Sequence, residues 1–491
     1  MYYMTLDIGT TTIKGILYDE KGTVQREVAL NPKTLSSQPG YMEQSVNEVI
    51  SFATEAILEL AKYSAEKGKL IKFISLSSYM HSLIAVDDYG NNLTNIIIWS
   101  DNRSEEYAKK YIQNGVGYKI YELTGTPIHP MSPLYKLMWL KDKQPEIFNS
   151  AKKFISIKEY LVKKLTGQYY VDYSIASATG LFNIHNLKWE IKALDEVGIT
   201  DERLSKPVPT TFKAEILPEV KKSLGLNDET LVVMGASDGC LANLGSRGLD
   251  EGNAVVTIGT SAAVRIVTKK PIIDENARLF SYAMDDDFYV SGGALNNGGV
   301  VFAWFKEVFG SDFVLDDVFK EYDKDDNGLL FLPFLNGERA PYWNPKLRGA
   351  YLGINHSHTE TDFLYSTIQG ICFSIKDVFE LLKDKHKEIK KIYANGGFTK
   401  SKFWIERLSS VLGYEVDVLD QGDAACFGAF LVGLKAFGVI KNWSDCENHF
   451  EKPKVYKGGI NDTDELMYEL YKQSIDTNTE ILVKLSEIQK K

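Results

Sequence analysis

Three short runs open the chain, each with apolar positions set among polar ones: Tyr2–Ile8, Thr12–Tyr18 and Thr23–Leu30. Gly9-Thr10-Thr11 and Asp19-Glu20-Lys21-Gly22 separate them, so the pattern predicts a small antiparallel meander. From Val46 the period changes. Val46, Val49, Ala53, Ile57 and Leu60 recur at helical spacing, and Ser45 with Glu48 makes a capping-box pattern, which predicts a helix over 46–64. Strands are predicted at Lys72–Ser77, Leu83–Asp87 and Asn95–Trp99, with a turn at Asp88–Asn92. Further on, Leu231–Met234 reads as a strand, Gly235–Gly239 as a turn and Gly239–Ser246 as a helix. Helices are also predicted at Val300–Phe309 and Lys402–Leu412, the second after a strand at Lys391–Ala394. The tail after Glu465 reads as a closing amphipathic helix. Strands alternating with helices predict an α/β fold with covered sheets.

One repeat organises this pattern. Ile8-Gly9-Thr10-Thr11 returns as Ile258-Gly259-Thr260-Ser261, 250 residues later and again between strand-like runs. The 491 residues suit two to four domains at ~150 residues each. The repeat narrows this to two, and the Gly-rich acidic stretch Arg247–Gly252 puts the division at 1–247 and 248–491.

Composition removes several function classes. The balance of 56 Lys+Arg against 66 Asp+Glu gives a net charge of −10. General nucleic-acid or anionic-membrane binding draws most of its affinity from positive charge, so neither is expected as a partner. The four cysteines, Cys240, Cys372, Cys426 and Cys446, form no C-x-x-C, and the expectation is buried free thiols in a reducing cytoplasm. The N-terminus reaches an acid by Asp7 and is not expected to be a signal peptide. The longest semi-apolar stretch, Phe427–Ile440, is cut by Gly428, Gly433, Lys435 and Gly438, so no membrane span is expected.

The candidate chemistry lies at the turns. Glycine lets backbone approach an anion closely, and the N–H groups and hydroxyls of Gly9, Thr10, Thr11, Gly259, Thr260 and Ser261 would donate to phosphate. Asp7 beside them would repel phosphate unless a cation stood between, and Mg²⁺ fits that place. The P-loop, protein-kinase and dinucleotide fingerprints are absent from the sequence. Gly235-Ala-Ser-Asp-Gly239 admits two readings. As G-x-S-x-G it makes Ser237 a hydrolase nucleophile, with His356, His358, His386 or His449 as base. Otherwise Asp238, at a helix N-cap, is held ionised and accepts a proton during phosphoryl transfer. The Gly-Thr hairpins favour the second. His81, Trp99, Asp101 and Arg103 follow strands and suit a polyol, with Arg103 able to grip a carboxylate bidentately. His356-x-His358 is better read as an exposed loop pair than as a metal site. Asn296–Gly299 and Asn395–Ser401 offer glycines against which an adenine ring or a phosphate would lie.

Together these segments resemble the FGGY carbohydrate kinases of the actin/hexokinase-like superfamily, from Asp7 to about Gly438. Asp7–Thr11 resembles the first phosphate motif, Gly235–Gly239 the catalytic segment, Ile258–Ser261 the second phosphate motif and Gly396-Gly397 the adenosine motif. Gly349–Ile354 with Asp362–Gln369 fits the C-terminal signature, and Met131–Leu140 fits the N-terminal one until Lys143 departs from it. Met80–Asp87, Trp99–Ser104 and Gly125–Pro133 look most like the gluconate-phosphorylating members, with the xylulose-phosphorylating members as the rival.

The resemblance implies two ribonuclease-H-like domains about a central cleft and ATP-dependent phosphorylation of a terminal hydroxyl, C6 of D-gluconate in the first reading. It implies Asp238 as base, Asp7 on Mg²⁺, and His81, Trp99, Asp101 and Arg103 with Asp238 on the sugar. The nucleotide falls to the two hairpins together with Gly299, Gly396, Gly397 and Ser401. The partner expected is a small-molecule sugar or sugar acid, and these features leave a homodimer open.

Overall fold

The structure is a computed structural model. It describes the chain except residues 249, 286–287, 311–312, 323–326, 387, 420–421, 460–461 and 490–491 and the side chain of Asp462. It divides into two compact units. The first comprises Met1–Asp250, Thr268–Val290 and Gln421–Phe450; the second comprises Glu251–Val267, Ser291–Asp420 and Glu451–Lys491. A single cut at 247/248 takes no account of residues 268–290 and 421–450. Contacts made by the fold recruit them to the first unit, and no linker composition marks them.

The first unit is built on β1 (Tyr2–Ile8), β2 (Ile13–Tyr18), β3 (Val24–Leu30), β4 (Ile71–Ser78), β5 (Lys213–Glu215) and β6 (Leu231–Ser237), in the order β5-β6-β4-β1-β2-β3. β1, β2 and β3 form the expected antiparallel meander. β4 runs parallel to both β1 and β6. Met4, Leu6 and Ile8 of β1 are wholly buried, together with Val49, Ala53, Ile57 and Leu60 of the helix Val46–Glu66. The capping box expected there is only half made. The Ser45 hydroxyl accepts from the Glu48 N–H, but the Glu48 carboxylate accepts from the Lys33 N–H at 3.0 Å.

The segment read as a turn at 235–239 is different in the structure. β6 continues through Ser237 and passes directly into the helix Asp238–Gly245. Its pairing with β4 slips between Val233 and Ala236, a bulge centred on Gly235 at φ +61. A Cβ at Gly235 would lie 1.8 Å from the Leu76 carbonyl oxygen, so only glycine is admitted.

The helix Asp238–Gly245 packs on the helix Ala424–Ala436, which fills the core with the run that had looked semi-apolar. Their backbones meet through glycines: a Cβ at Gly245 would stand 2.0 Å from the Ala424 oxygen, and one at Gly428 would stand 2.1 Å from the Leu241 oxygen.

A second sheet contains β7 (Asn253–Ile258), β8 (Ala262–Thr268), β9 (Phe288–Leu295), β10 (Lys391–Asn395), β11 (Val416–Val418) and β12 (Lys454–Tyr456), in the order β9-β8-β7-β10-β11-β12. β7 and β8 are an antiparallel hairpin turning at Gly259-Thr260-Ser261, and β10 lies parallel to β7. Strand, Gly-Thr turn, strand and a neighbouring parallel strand thus recur in both units, as the 250-residue repeat predicts.

Gly428→Ala is expected to destabilise the protein by about 1–3 kcal/mol through overpacking of the two helices. Thermal melting beside Gly459→Ala, whose added methyl meets open space, checks this. Equal melting of the two variants would refute the contact as a constraint.

Candidate functional site

Strand register gathers the acids of the first unit. Asp7 pairs with Ser77 and Ile8 with Ser78 across β1 and β4; Ala236 and Ser237 pair with the same two serines across β6. Asp7 and Asp238 therefore lie at the same end of two strands that flank β4. The Ser77 hydroxyl donates to Asp7 Oδ1. Burial first, then the charges of Asp423 and Asp238, push the Asp7 carboxyl up to about 7 against the opposing effects of Ser77 and Lys14. Lys14, opposite Asp7 on β2, is itself held by Asp423 at 2.9 Å. Asp423 in turn caps the helix Ala424–Ala436 by accepting from the Cys426 N–H.

Asp238 is the first residue of its helix, and the cap is Ser237. The fully buried Ser237 hydroxyl accepts from the Cys240 N–H. A nucleophile elbow needs an exposed Oγ on a sharp turn, so the hydrolase reading has neither its turn nor its hydroxyl. Asp238, only half-buried, accepts from the Gly239 N–H at 2.6 Å.

The hairpin at Gly9 is closed by its N–H to the Thr12 carbonyl at 3.1 Å. It is anchored from behind by buried Gln44, which donates to the Thr10 carbonyl at 2.7 Å and accepts from the Tyr79 hydroxyl at 3.0 Å. Sequence reading overlooked Gln44, an amide 34 residues from its partner with no motif around it.

His81 has φ +65, rare for a residue with a side chain. Its Nδ1 donates to the Ala178 carbonyl at 2.7 Å, because a carbonyl can only accept. The Tyr282 hydroxyl lies 3.3 Å from Nε2. Fully buried Lys136 braces this turn, donating to the carbonyls of His81 at 2.6 Å and Ile98 at 2.8 Å. Burial lowers the Lys136 ammonium to about 7. Half-buried Trp99 packs on the core of the unit.

Asp101 and Arg103 are brought together, but onto each other. Arg103 Nε and Nη2 donate to Asp101 at 2.9 and 2.8 Å, Nη2 also reaches Glu43 at 2.6 Å, and the guanidinium stacks 3.8 Å from the Tyr41 ring. Asp101 also accepts from the Met42 N–H at 2.6 Å. The bidentate face of Arg103 pictured on a substrate carboxylate is thus taken by Asp101, and its side chain is 3% exposed.

The second unit holds a cavity of about 590 Å³. Of the residues expected on a nucleotide, Gly259, Thr260, Gly299, Gly397 and Ser401 line it; Thr10 and Thr11 belong to the first unit. Ser261 and Gly396 are not on its wall. Gly396 has a backbone reason: at φ +107 its Cβ would be 2.2 Å from the Ile258 oxygen, which lets β10 end close against β7. The Gly299 N–H is already given to the Gly259 carbonyl at 2.7 Å.

Phe302 and Trp404 supply apolar wall. Asp316, which no motif indicated, faces the N-terminus of the helix Lys402–Leu412 and accepts from the Ser401 hydroxyl and the Phe403 and Lys402 N–H groups. Despite burial, those donors hold its carboxyl below the usual range. That helix end is therefore taken by a carboxylate, and the wall beside it suits a flat base or a hydroxyl better than phosphate. Buried Glu338 fixes the turn before Gly299 by accepting from the Asn296 N–H and the Asn297 amide.

Among the described residues no group of three or more His, Cys, Asp or Glu is placed to hold a metal. A cation at Asp7 would need water and phosphate oxygens for its other ligands, a hard donor set that Mg²⁺ accepts. His358 Nδ1 accepts from the Asn355 N–H, and Nε2 lies 2.9 Å from the Asn327 carbonyl. One ring nitrogen thus serves its own loop and the other ties that loop to the segment at Asn327. All four cysteines are buried and free. Among the described residues no helix is long and apolar enough to cross a membrane.

Residues 2–245 match the N-terminal domain of the FGGY family of carbohydrate kinases and residues 254–437 its C-terminal domain. The chain is 39% identical to a gluconokinase of Bacillus subtilis over 90% of its own length and 89% of the relative. It is 30% identical to a xylulose kinase of Staphylococcus epidermidis, over 91% and 90%. Among solved structures, a gluconate kinase from Lactobacillus acidophilus superposes with a TM-score of 0.93 at 32% identity, covering 97% of this chain and 98% of the other. A xylulose kinase from the same organism gives 0.94 at 32%, covering 99% of each. The chain belongs to the FGGY family of carbohydrate kinases. It has that family's two-domain, actin/hexokinase-like fold and takes its phosphoryl group from ATP.

Asp7 generates a pH prediction. Its carboxyl is raised from 3.8 to about 7 on folding, so the native state binds more protons between those values and stability falls as pH rises through the window. In metal- and nucleotide-free buffer, Asp7→Asn should melt above wild type at pH 8, and the gap should close as pH falls below 7. A gap independent of pH would show that Asp7 is not the strained acid.

Proposed function

We propose that this kinase phosphorylates the C6 hydroxyl of D-gluconate with ATP. The mechanism is carried by the position of Asp238, a half-exposed carboxylate in the first turn of a helix and beside a second acid. A helix N-terminus favours the ionised form, and an ionised carboxylate orients the attacking hydroxyl and accepts its proton as the phosphoryl group moves. His81, with Nδ1 held by Ala178, presents Nε2 beside Tyr282 to the hydroxyls of the sugar acid. Trp99 gives an apolar surface for its C–H faces. Asp101 and Arg103 shape the pocket as a neutral pair, and through Met42 and Glu43 they fix its edge.

The adenosine end of ATP belongs to the cavity of the second unit, on Gly397, Ser401, Phe302 and Trp404. Within its own unit each Gly-Thr hairpin offers hydroxyls that suit phosphate, at Thr10 and Thr11 and at Thr260 and Ser261, while the Gly9 and Gly259 N–H groups close their turns. Asp7 would hold Mg²⁺, which when bound offsets phosphoryl charge. The buried thiols suit a reducing cytoplasm.

Gluconate is preferred to xylulose on identity, 39% against 30% among curated relatives. A xylulose kinase structure superposes as well as a gluconate kinase one, so xylulose is the second reading.

ADP release measured against gluconate, xylulose, glycerol, ribulose and no sugar should be highest with gluconate, at a turnover of ~1–100 s⁻¹. Asp238→Asn should nearly abolish transfer while ATP binding, measured by calorimetry, stays within about threefold. Faster turnover with xylulose would transfer the assignment to that sugar, and turnover above roughly a tenth of wild type in Asp238→Asn would remove Asp238 as base.

A further inference from the structure

Behind Asp238 lies a closed loop of hydrogen bonds that the mechanism above does not use. The ammonium of Lys158 donates to Asp172 Oδ2 at 2.8 Å and to the Ala236 carbonyl at 2.9 Å. The Ser174 hydroxyl donates to Asp172 Oδ1 at 2.5 Å and accepts from the Ser237 N–H at 2.7 Å. The Ala236 carbonyl and the Ser237 N–H belong to one peptide group, which lies one residue before Asp238. Lys158 and Ser174 therefore hold that peptide by both of its polar ends, and Asp172 ties the two holders together.

The loop has one sense. The single hydroxyl proton of Ser174 is spent on Asp172, which leaves a lone pair for Ser237. Asp172 is fixed further by the N–H groups of Ser174 and Ile175, whose short helix it caps. Lys158, Asp172, Ser174, Ala236 and Ser237 are each at most 1% exposed. Such a pair seldom adds stability over well-packed apolar residues, and its better-attested use is to specify geometry.

We propose that Lys158, Asp172 and Ser174 are positioning residues for phosphoryl transfer, fixing the Ala236–Ser237 peptide so that the Asp238 carboxylate meets the sugar hydroxyl in line. This rests on Asp238 being the base. Rotation of the peptide would break both bonds at once and swing Asp238, whereas the nucleotide contacts and the other sugar contacts lie elsewhere. The loop therefore acts on turnover and not on binding.

Ser174→Ala is the mild test, because it leaves the Lys158–Asp172 pair in place and removes only the hydroxyl that joins Ser237 to Asp172. In the full-length enzyme kcat should fall roughly 10- to 100-fold, the loss typical of a misplaced group, with both KM values within about twofold. Protection of its melting by ATP should match wild type. The decisive readout is a cycle with Asp238→Asn, followed by transfer of labelled phosphate with enzyme in excess. If Ser174 acts through Asp238, Ser174→Ala should change the residual rate of Asp238→Asn by less than about twofold. Multiplying losses, or unchanged kcat in Ser174→Ala alone, would overturn the proposal. Full turnover in Asp238→Asn by itself would overturn the base assignment first.

Discussion

The register of three parallel strands is the constraint on which the first unit depends. With β1, β4 and β6 paired as they are, Asp7, Ser77 and the Ala236–Asp238 segment reach one edge of the sheet together. A slip of one residue would turn every side chain to the opposite face and disperse the acids. Gathering them carries an electrostatic cost, visible in the Asp7 carboxyl raised by burial and by two neighbouring carboxylates. Such a cost persists where the strained group has a task, and here a cation would relieve it.

The scaffold around this edge allows little adjustment. Gly235 admits the bulge that lets β6 run straight into the Asp238 helix, and Gly245 with Gly428 lets that helix sit backbone to backbone on the helix Ala424–Ala436. Asp423 caps the second helix and holds Lys14. A segment late in the chain thereby sets the electrostatics beside Asp7. Rigidity of this kind serves phosphoryl transfer, in which positioning and charge stabilisation supply nearly all of the catalysis.

Features with a local cause were legible in the sequence. The meander, the two Gly-Thr hairpins, their repeat and the acid after β6 all follow from nearest-neighbour patterns. Features caused by partners far along the chain were not. Glu48 looked like half of a capping box until Lys33 claimed it. Arg103 looked available to a substrate although Asp101, two residues before it, takes its bidentate face, because the Glu43 and Tyr41 contacts that complete the arrangement come from far along the chain. Lys136 and Lys158 sit in helical stretches where a lysine normally signals a solvated face, yet each is buried, by three carbonyls in one case and by Asp172 and Ala236 in the other. Asp316 lies in a stretch with no glycine signature, and only the folded chain sets it at the helix end 85 residues on. The two excursions of the first unit escaped for the same reason.

Asp7 and Asp172 show how one structure treats two buried acids differently. Asp172 has a lysine of its own, a hydroxyl and two N–H groups, so its charge is answered where it stands. Asp7 has one hydroxyl and the distant share of a lysine already paired with Asp423. An answered charge fixes geometry and an unanswered one attracts what is missing. The net charge of −10, which argued against anionic partners, is therefore a poor guide to the site. N–H groups, hydroxyls and a cation held by a carboxylate all serve to meet an anion, and none of them enters a count of lysines and arginines.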